Sequence, residues 1–376
     1  MISAAAGNVL IDCSYLASGG QAVRTAVALS ALMSKPVSLR NVRQRKANSG
    51  LSKEIIADVE LVRDICNGRT AGCHVGSPGL DFTPGPIRTP GKFLSAPNTA
   101  TSISKQIQAA LPCLTFLTTK TAENARSKLF LVGQTNARFS PQIEYMEHIL
   151  FPFLRRRFGL DHHVDIVRRG HSEPRGVVNA EIDHKPTLPA FDLLQRGAIK
   201  TIKGRAYASG HDIQLADRIR AAATTSLIMA DINPEIIDIA AVREHHPPGT
   251  KVEKASGLVM WAETENGCVI GGSSIGLEPP NPRAVAHKAS TELLANLRHG
   301  GCVDEHLQDQ MIIWLALAKG RSRVRTGPLT EHTKSAMWTA EQLTGARFNV
   351  TADSLSSESL TITCDGIAYI PPFIHP

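Results

Sequence analysis

Chemistry in this chain could begin at Ser18-Gly19-Gly20-Gln21, where two glycines precede an Ala- and Leu-rich run. Free backbone N–H groups at a helix N-terminus cradle anions, but a plain strand-to-helix turn has the same appearance. The stretch matches neither the Walker phosphate loop nor the dinucleotide fingerprint. Three basic clusters, Arg43-Gln44-Arg45-Lys46, Arg155-Arg156-Arg157 and Arg168-Arg169, carry groups that pair well with phosphate oxygens. Solvated charged faces are the alternative, favoured for 155–157, where cations at a helix end complement its dipole. Among 14 histidines, His162-His163 and His245-His246 are adjacent pairs. Neighbours along a strand point to opposite faces, so these pairs suit joint metal ligation poorly, and surface imidazoles are expected. The seven cysteines are scattered without a C-x-x-C pair, which argues against a zinc site or a disulfide framework and fits a reducing compartment.

The elements that must position such groups follow from hydrophobic periodicity. Val9 to Ile11 reads as a strand, Ala22 to Met33 as a helix, Val37 to Val42 as a strand and Lys53 to Cys66 as a helix. Strand-like Leu80 to Phe82 precedes a helix at Ser102 to Phe116, and Leu129 to Val132 precedes a helix at Gln142 to Arg157. Near the end, helices at Arg283 to Arg298 and Asp304 to Lys319 lead to a strand at Arg323 to Arg325. A helix at Thr333 to Leu343 and a strand at Arg347 to Val350 follow. Repeated α/β units are the inference, although identity between them is too low to establish duplication.

From about Lys185 the pattern changes to a strand (Ala198 to Ala208), an Ala-rich helix (Ile213 to Ile228) and a loop, His245 to Gly249. Strands at Gly257 to Glu263 and Cys268 to Ser273 then form a hairpin around Glu265-Asn266-Gly267, since Asn-Gly favours a tight turn. Pro186, Pro189 and the Pro279-Pro280-Asn281-Pro282 run flank this block. A small inserted domain over 185–280 is therefore expected between a first part, 1–184, and a last part, 281–376.

Over 376 residues, 42% hydrophobic and 20% charged content implies a packed core rather than disorder. Aromatics at 5% argue against stacking of many bases. A net charge of +7 and a pI of about 9.1 suggest an anionic partner such as nucleic acid or nucleotide, though many basic proteins bind no polyanion. Met1 to Leu10 lacks the features of a signal peptide, and runs such as Met311 to Ala318 are too short to span a bilayer. A soluble intracellular protein is expected.

The C-terminal third is more specific. Leu294-Ala295-Asn296-Leu297-Arg298-His299-Gly300-Gly301, Val303-Asp304-Glu305-His306-Leu307-Gln308-Asp309-Gln310 and Arg325-Thr326-Gly327-Pro328-Leu329-Thr330-Glu331-His332-Thr333 resemble the RNA 3'-terminal phosphate cyclase family in its eukaryotic form. The likeness covers nearly the whole chain, including Gly19-Gly20-Gln21-Ala22-Val23-Arg24, Leu111-Pro112-Cys113, Gly133-Gln134-Thr135-Asn136 and Pro141-Gln142-Ile143. It implies an α/β (α+β) fold: a large domain of repeated units, each two helices on a four-stranded sheet, with a smaller inserted α/β domain.

It also implies a reaction in RNA processing. A histidine attacks the α-phosphate of ATP and releases pyrophosphate, AMP passes to the RNA 3'-phosphate, and the neighbouring 2'-OH closes the ring and expels AMP. On matching positions His332 is the nucleophile, and Gln108, Pro141, His306, Asp309 and Gln310 bind the nucleotide, with His306 replacing the usual Tyr. Gln21, Arg24, Arg43 and Lys46 match positions near phosphates or RNA. A neutral imidazole suits the role, being a good nucleophile near neutral pH and a good leaving group from a phosphoramidate. ATP with a divalent cation, Mg²⁺, is implied, as are an RNA partner with a 3'-terminal phosphate and a nuclear location in the nucleoplasm, the cytoplasm being the alternative.

Several positions depart from the family pattern. Ala17 stands for its Glu, Ser18 for its first glycine, and Lys46 for its second Arg, losing the planar fork. Glu54-Ile55 stands for a Gln-His pair, which puts a negative charge where an anion is expected. Thr99-Ala100-Thr101-Ser102 replaces a Thr-Ala-Gly-Ser turn, and Gly176-Val177-Val178 a glycine triplet. These changes imply a weakened RNA-phosphate side and reduced activity. The alternative is a non-catalytic, cyclase-like binding partner in ribosome biogenesis; retention of His332 favours the enzyme.

Overall fold

Val9–Asp12 forms strand β1, and helix α1 (Gly19–Met33) buries Ala22, Val23, Ala26, Val27 and Leu29 at helical spacing. The structure is a computed structural model that describes residues 7–14, 19–44, 48–98, 101–119, 125–171, 175–244, 252–276, 278–353 and 356–372. Ala17, Ser18, Lys46, Thr99, Ala100 and the His245-His246 pair, all singled out above, lie outside these residues.

Strand β2 (Val37–Arg40) runs parallel to β1, and helix α2 (Lys53–Ile65) starts at Ser52, whose Oγ accepts from the Ile55 N–H at 3.3 Å. The antiparallel strands β3 (Arg69–Ala71) and β4 (Leu80–Thr83) complete a sheet of order β1-β2-β4-β3. A second unit repeats this course. Strand β5 (Lys92–Ser95), helix α3 (Ile103–Leu114) and strand β6 (Ser127–Gly133) lead to helix α4 (Ile143–Tyr145). A wide turn, Met146–Leu150, then joins α4 to α5 (Phe151–Phe158). Pro152 has no N–H to give the preceding turn and would crowd its carbonyl, so the wide turn lets the helix continue. Strands β7 (His163–Arg168) and β8 (Gly176–Ile182) give the order β5-β6-β8-β7.

The third unit opens with β9 (Asp192–Leu193) and is interrupted at once. The insert contains β10 (Ile199–Ser209), α6 (Ile213–Ile228), β11 (Ile237–Arg243), β12 (Ala255–Thr264), β13 (Val269–Gly276) and α7 (Pro282–Arg298), with sheet order β11-β10-β12-β13. The unit then resumes with α8 (Glu305–Gln310), α9 (Ile312–Leu317), β14 (Lys319–Thr326), α10 (Glu331–Thr344), β15 (Arg347–Asp353) and β16 (Ser356–Ile367). Its sheet order, β15-β16-β14-β9, repeats the pattern of the first two, with β9 and β14 parallel and the other pairs antiparallel. The fold is thus mixed α/β, three topologically identical units carrying one insert in the third.

Two hydrophobic cores follow this division in the main, although Val259, Trp261, Cys268 and Val269 of the insert hairpin pack into the larger one. The smaller draws Ile202, Ala206, Ile219 and Leu258 from the insert sheet and α6, and Val285, Ala289 and Leu293 from α7. Leu188 and Leu193 belong to the larger core. The core of the insert therefore spans β10 to α7, shifted from 185–280 by about one element at each end. The flanking prolines mark turns, whereas core membership follows the apolar face of α7.

The helix expected over Asp304 to Lys319 is two short helices broken at Met311, followed directly by β14. Every residue from Ile312 to Leu317 is buried, while β14 alternates, burying Ser322, Val324 and Thr326. Among the described residues no helix is long and apolar enough to cross a membrane.

Candidate active site

A cleft of about 890 Å³ opens where equivalent helices of the three units meet. Helix α1 contributes Gly20, Gln21 and Arg24, α3 contributes Lys105 and Gln108, and α8 contributes His306, Asp309 and Gln310. The starts of the second helices complete it: Ser52 to Ile55 at α2, Phe139 and Pro141 before α4, and Glu331 and His332 at α10. Unpaired N–H groups and the dipole make each helix start favourable to negative charge. Of the residues expected at the site, Gln21, Arg24, Arg43, Gln108, Pro141, His306, Asp309, Gln310 and His332 all line this one cleft. Lys46 falls outside the described residues.

His332 is exposed in the first turn of α10, which Thr330 caps by accepting from the Thr333 N–H at 3.1 Å. The preceding loop is held by Gln308, which is 1% exposed. Its Nε2 donates to Thr326 Oγ1 at 2.5 Å and to the Gly327 and Pro328 carbonyls at 3.3 and 3.2 Å. Its Oε1 accepts from the Thr330 N–H at 2.9 Å and from Thr333 Oγ1 at 2.7 Å. Sequence reasoning gave Gln308 no role, although it lies two positions before Gln310 in a quoted motif. Gly327 is required for packing: a Cβ there would lie 2.5 Å from Cδ2 of His299.

On the α1–α2 side, the buried Arg24 donates from Nε to Asp58 Oδ2 at 2.6 Å, and its Nη2 lies 3.8 Å from Glu54 Oε2. Burial lifts the Asp58 carboxyl to about 6 despite Arg24 beside it. Lys105 Nζ lies 3.2 Å from Glu54 Oε2. The Glu54 carboxylate, expected to repel an anion, is therefore matched by two cations. Lys105 was not foreseen; its spacing of three from Gln108 on one helix was the available signal.

On the α8 side, burial works against a charge on His306, but Glu292, with Asp304 and Glu305 nearby, pushes its pKa up to about 9. Its Nε2 lies 3.4 Å from Glu292 Oε1, and its ring meets Tyr145 edge-on at 5.8 Å. Burial lifts Asp309 to about 7, with His306 opposing. Gln310 Nε2 donates to the His306 carbonyl at 2.8 Å, whereas its buried Oε1 has no partner among the described residues. Such an acceptor calls for a donor from a ligand or water.

Other expectations are corrected. Arg169 is a buried ion-pair residue, not a phosphate ligand: it donates to Glu144, lies 2.9 Å from Glu244 and stacks 4.4 Å over Tyr207. Arg156 and Arg157 donate to the Gly267 and Asn266 carbonyls at 2.9 and 3.3 Å, clasping the insert hairpin. His162 is buried rather than on the surface, and burial pushes it down to about 3. Val177 and Val178 are ladder residues of β8 and do not line the cleft. All seven cysteines are free thiols. Among the described residues, the group of three that could hold a metal is Glu292, Glu305 and His306.

This arrangement, a histidine on a helix start above a cleft lined by cations and backbone donors, is suited to handling phosphoryl groups. The chain matches the family described as RNA 3'-terminal phosphate cyclase over residues 15–350 and belongs to that family. Among its relatives, the RNA 3'-terminal phosphate cyclase of Drosophila melanogaster is 32% identical over 367 residues, covering 97% of this chain and 98% of that protein. The probable RNA 3'-terminal phosphate cyclase of Dictyostelium discoideum is 31% identical over 376 residues, 96% of this chain and 83% of that protein. The RNA 3'-terminal phosphate cyclase of Pyrobaculum neutrophilum is 32% identical over 363 residues, 96% of this chain and 99% of that protein. A solved EPSP synthase from Acinetobacter baumannii matches over 92% of this chain and 62% of its own, at 10% identity and a TM-score of 0.28.

Proposed function

We propose that the protein uses ATP to convert an RNA 3'-terminal phosphate into a 2',3'-cyclic phosphodiester, with AMP carried on His332. The observation that supports this most is the convergence of positions matched to the family, from distant stretches of chain, on one cleft with His332 at its wall. An imidazole nitrogen of His332 attacks the α-phosphorus, and the bond to the bridging oxygen breaks to release pyrophosphate. An oxygen of the RNA 3'-phosphate then takes AMP from the ring as the P–N bond breaks. The adjacent 2'-OH loses its proton and attacks the activated phosphorus, and AMP leaves.

The residues divide this work by position. Arg43 and Lys105 offer cations to the phosphates, and the start of α10 favours negative charge beside His332. Asp309 and the unpartnered Oε1 of Gln310 are acceptors for nucleotide hydroxyl or amino groups. A divalent cation such as Mg²⁺, arriving with the triphosphate, would offset its charge; Asp309 and Glu331 line the cleft and carry oxygen donors of the hard kind it prefers.

Incubation with α-labelled ATP and Mg²⁺ tests the reading. Acid-labile, protein-bound label is expected, chased into free AMP by RNA with a 3'-phosphate and absent in His332→Ala. No label in the unmodified protein would favour the non-catalytic reading, and full label in His332→Ala would move the nucleophile elsewhere.

A further inference from the structure

A second groove, of about 600 Å³, joins the cleft at Phe139, His306 and His332, which line both. It runs between the loop 137–142 and the insert. Strand β13 supplies Ser273 and Ser274, and Asn281, which caps α7, lines it with Ala284 and Lys288 of that helix.

Two features point to an occupant. Phe139 is 94% exposed and holds φ at 60°, a left-handed conformation that bulky residues adopt only where their surroundings impose it. The loop is pinned on both sides. Gln142 Nε2 donates to the Leu258 and Ser274 carbonyls, each at 3.2 Å, and Ser104 Oγ donates to the Pro141 carbonyl at 2.6 Å. An apolar ring thus stands in solvent at the junction of the two cavities, on a loop held just beyond it at Pro141 and Gln142. Secondly, Lys288 is an exposed cation with no ion-pair partner among the described residues, and Arg138, also exposed and without one, holds its guanidinium 5.8 Å from the centre of the Phe139 ring. The groove's carboxylate, Glu292, is taken up by His306.

A planar apolar ring with a guanidinium near one face, beside the exposed cation Lys288, is the chemistry that binds single-stranded nucleic acid, stacking a base and holding the backbone. We propose that this groove receives the 3' end of the acceptor RNA, with one base stacked on Phe139 and the backbone passing Lys288 and Arg138. The insert is then half of the acceptor site. This rests on the reaction proposed above. Scarce aromatics fit it, since one ring suffices for one base.

The test uses the full-length protein without ATP and a short single-stranded oligoribonucleotide ending in a 3'-phosphate, with 2-aminopurine as its last base. Binding should quench the 2-aminopurine. Phe139→Ala should abolish quenching and weaken binding by roughly tenfold, as loss of one stacked base predicts, while Phe139→Trp retains both. Lys288→Glu should weaken binding to any sequence and flatten its salt dependence. Quenching unchanged in Phe139→Ala, with an unaltered circular-dichroism melt, would overturn the proposal. So would quenching that saturating ATP removes, which would put the base of ATP itself on Phe139. The outcomes separate from those of the reaction: normal ATP labelling without quenching sinks the groove alone, and quenching without labelling sinks His332 alone.

Discussion

His332 stands in the first turn of α10, and its reach is set from behind by Gln308, whose amide bonds on both sides to the loop that delivers it. Gln308→Ala should leave several buried polar groups unmatched and lower stability by about 1–3 kcal/mol, read as a lower denaturation midpoint. It should also slow adenylylation, because the loop loses its tether; unchanged labelling and stability would mean water replaces the amide. His306 supplies a pH test. Its pKa, about 9 when folded against an ordinary 6.5, means that the folded state holds the proton more tightly. The resulting stabilisation is present below about pH 6.5 and lost as pH rises through about 9. The stability difference between the unmodified protein and Glu292→Gln should therefore narrow between pH 7 and pH 9.5. A difference that grows over this interval would contradict the pairing. Much of this site was legible because long motifs carry residue identities, and these place His332 and Asp309 directly. Lys105 and Gln308 were not, because their roles are contacts to groups distant in sequence, and spacing does not report those.

At the scale of elements, helices were read more faithfully than strands. α1, α2 and α6 declare themselves by burial at helical spacing over long runs, whereas β3 and β9 are three and two residues long and leave no period to detect. The α8–α9 break was hidden because an apolar run continues through Met311 into fully buried α9, and nothing in hydrophobicity marks the change. Gly327 shows an element-level constraint. Gly327→Ala would drive a methyl into the His299 ring and tilt the start of α10, costing about 1–3 kcal/mol and lowering labelling more than a surface change would. The insert gives a second prediction at this scale. Replacing 199–298 with a Gly/Ser linker should leave a cooperative unfolding transition at a lower midpoint, since the insert has a core of its own but lends Val259, Trp261, Cys268 and Val269 to the larger one. Labelling should fall in that protein. Asp304, which caps α8, would lose the Gly271 N–H that it accepts at 2.8 Å, and Gln142 would lose both insert carbonyls. Full labelling there would show that the insert does not support the nucleotide side.

At the scale of the molecule, one strand-helix-strand-helix-hairpin pattern is written three times, and its sheet order recurs without a detectable repeat in sequence. Topology conserves where apolar residues fall, not which ones, so the periodicity was visible while the duplication was not. Counting from each N-cap shows what repetition permits. His332 lies two residues after Thr330; the same position is Glu54 after Ser52 in the first unit and Glu144 after Gln142 in the second. A homotrimer sharing a site between subunits must repeat every residue at each equivalent corner, because symmetry copies whatever one gene encodes. Here covalent linkage lifts that obligation. One corner carries an exposed histidine, another a carboxylate matched by cations, and the remaining one a buried acid that anchors Arg169. Three similar scaffolds have become a division of labour within a single chain.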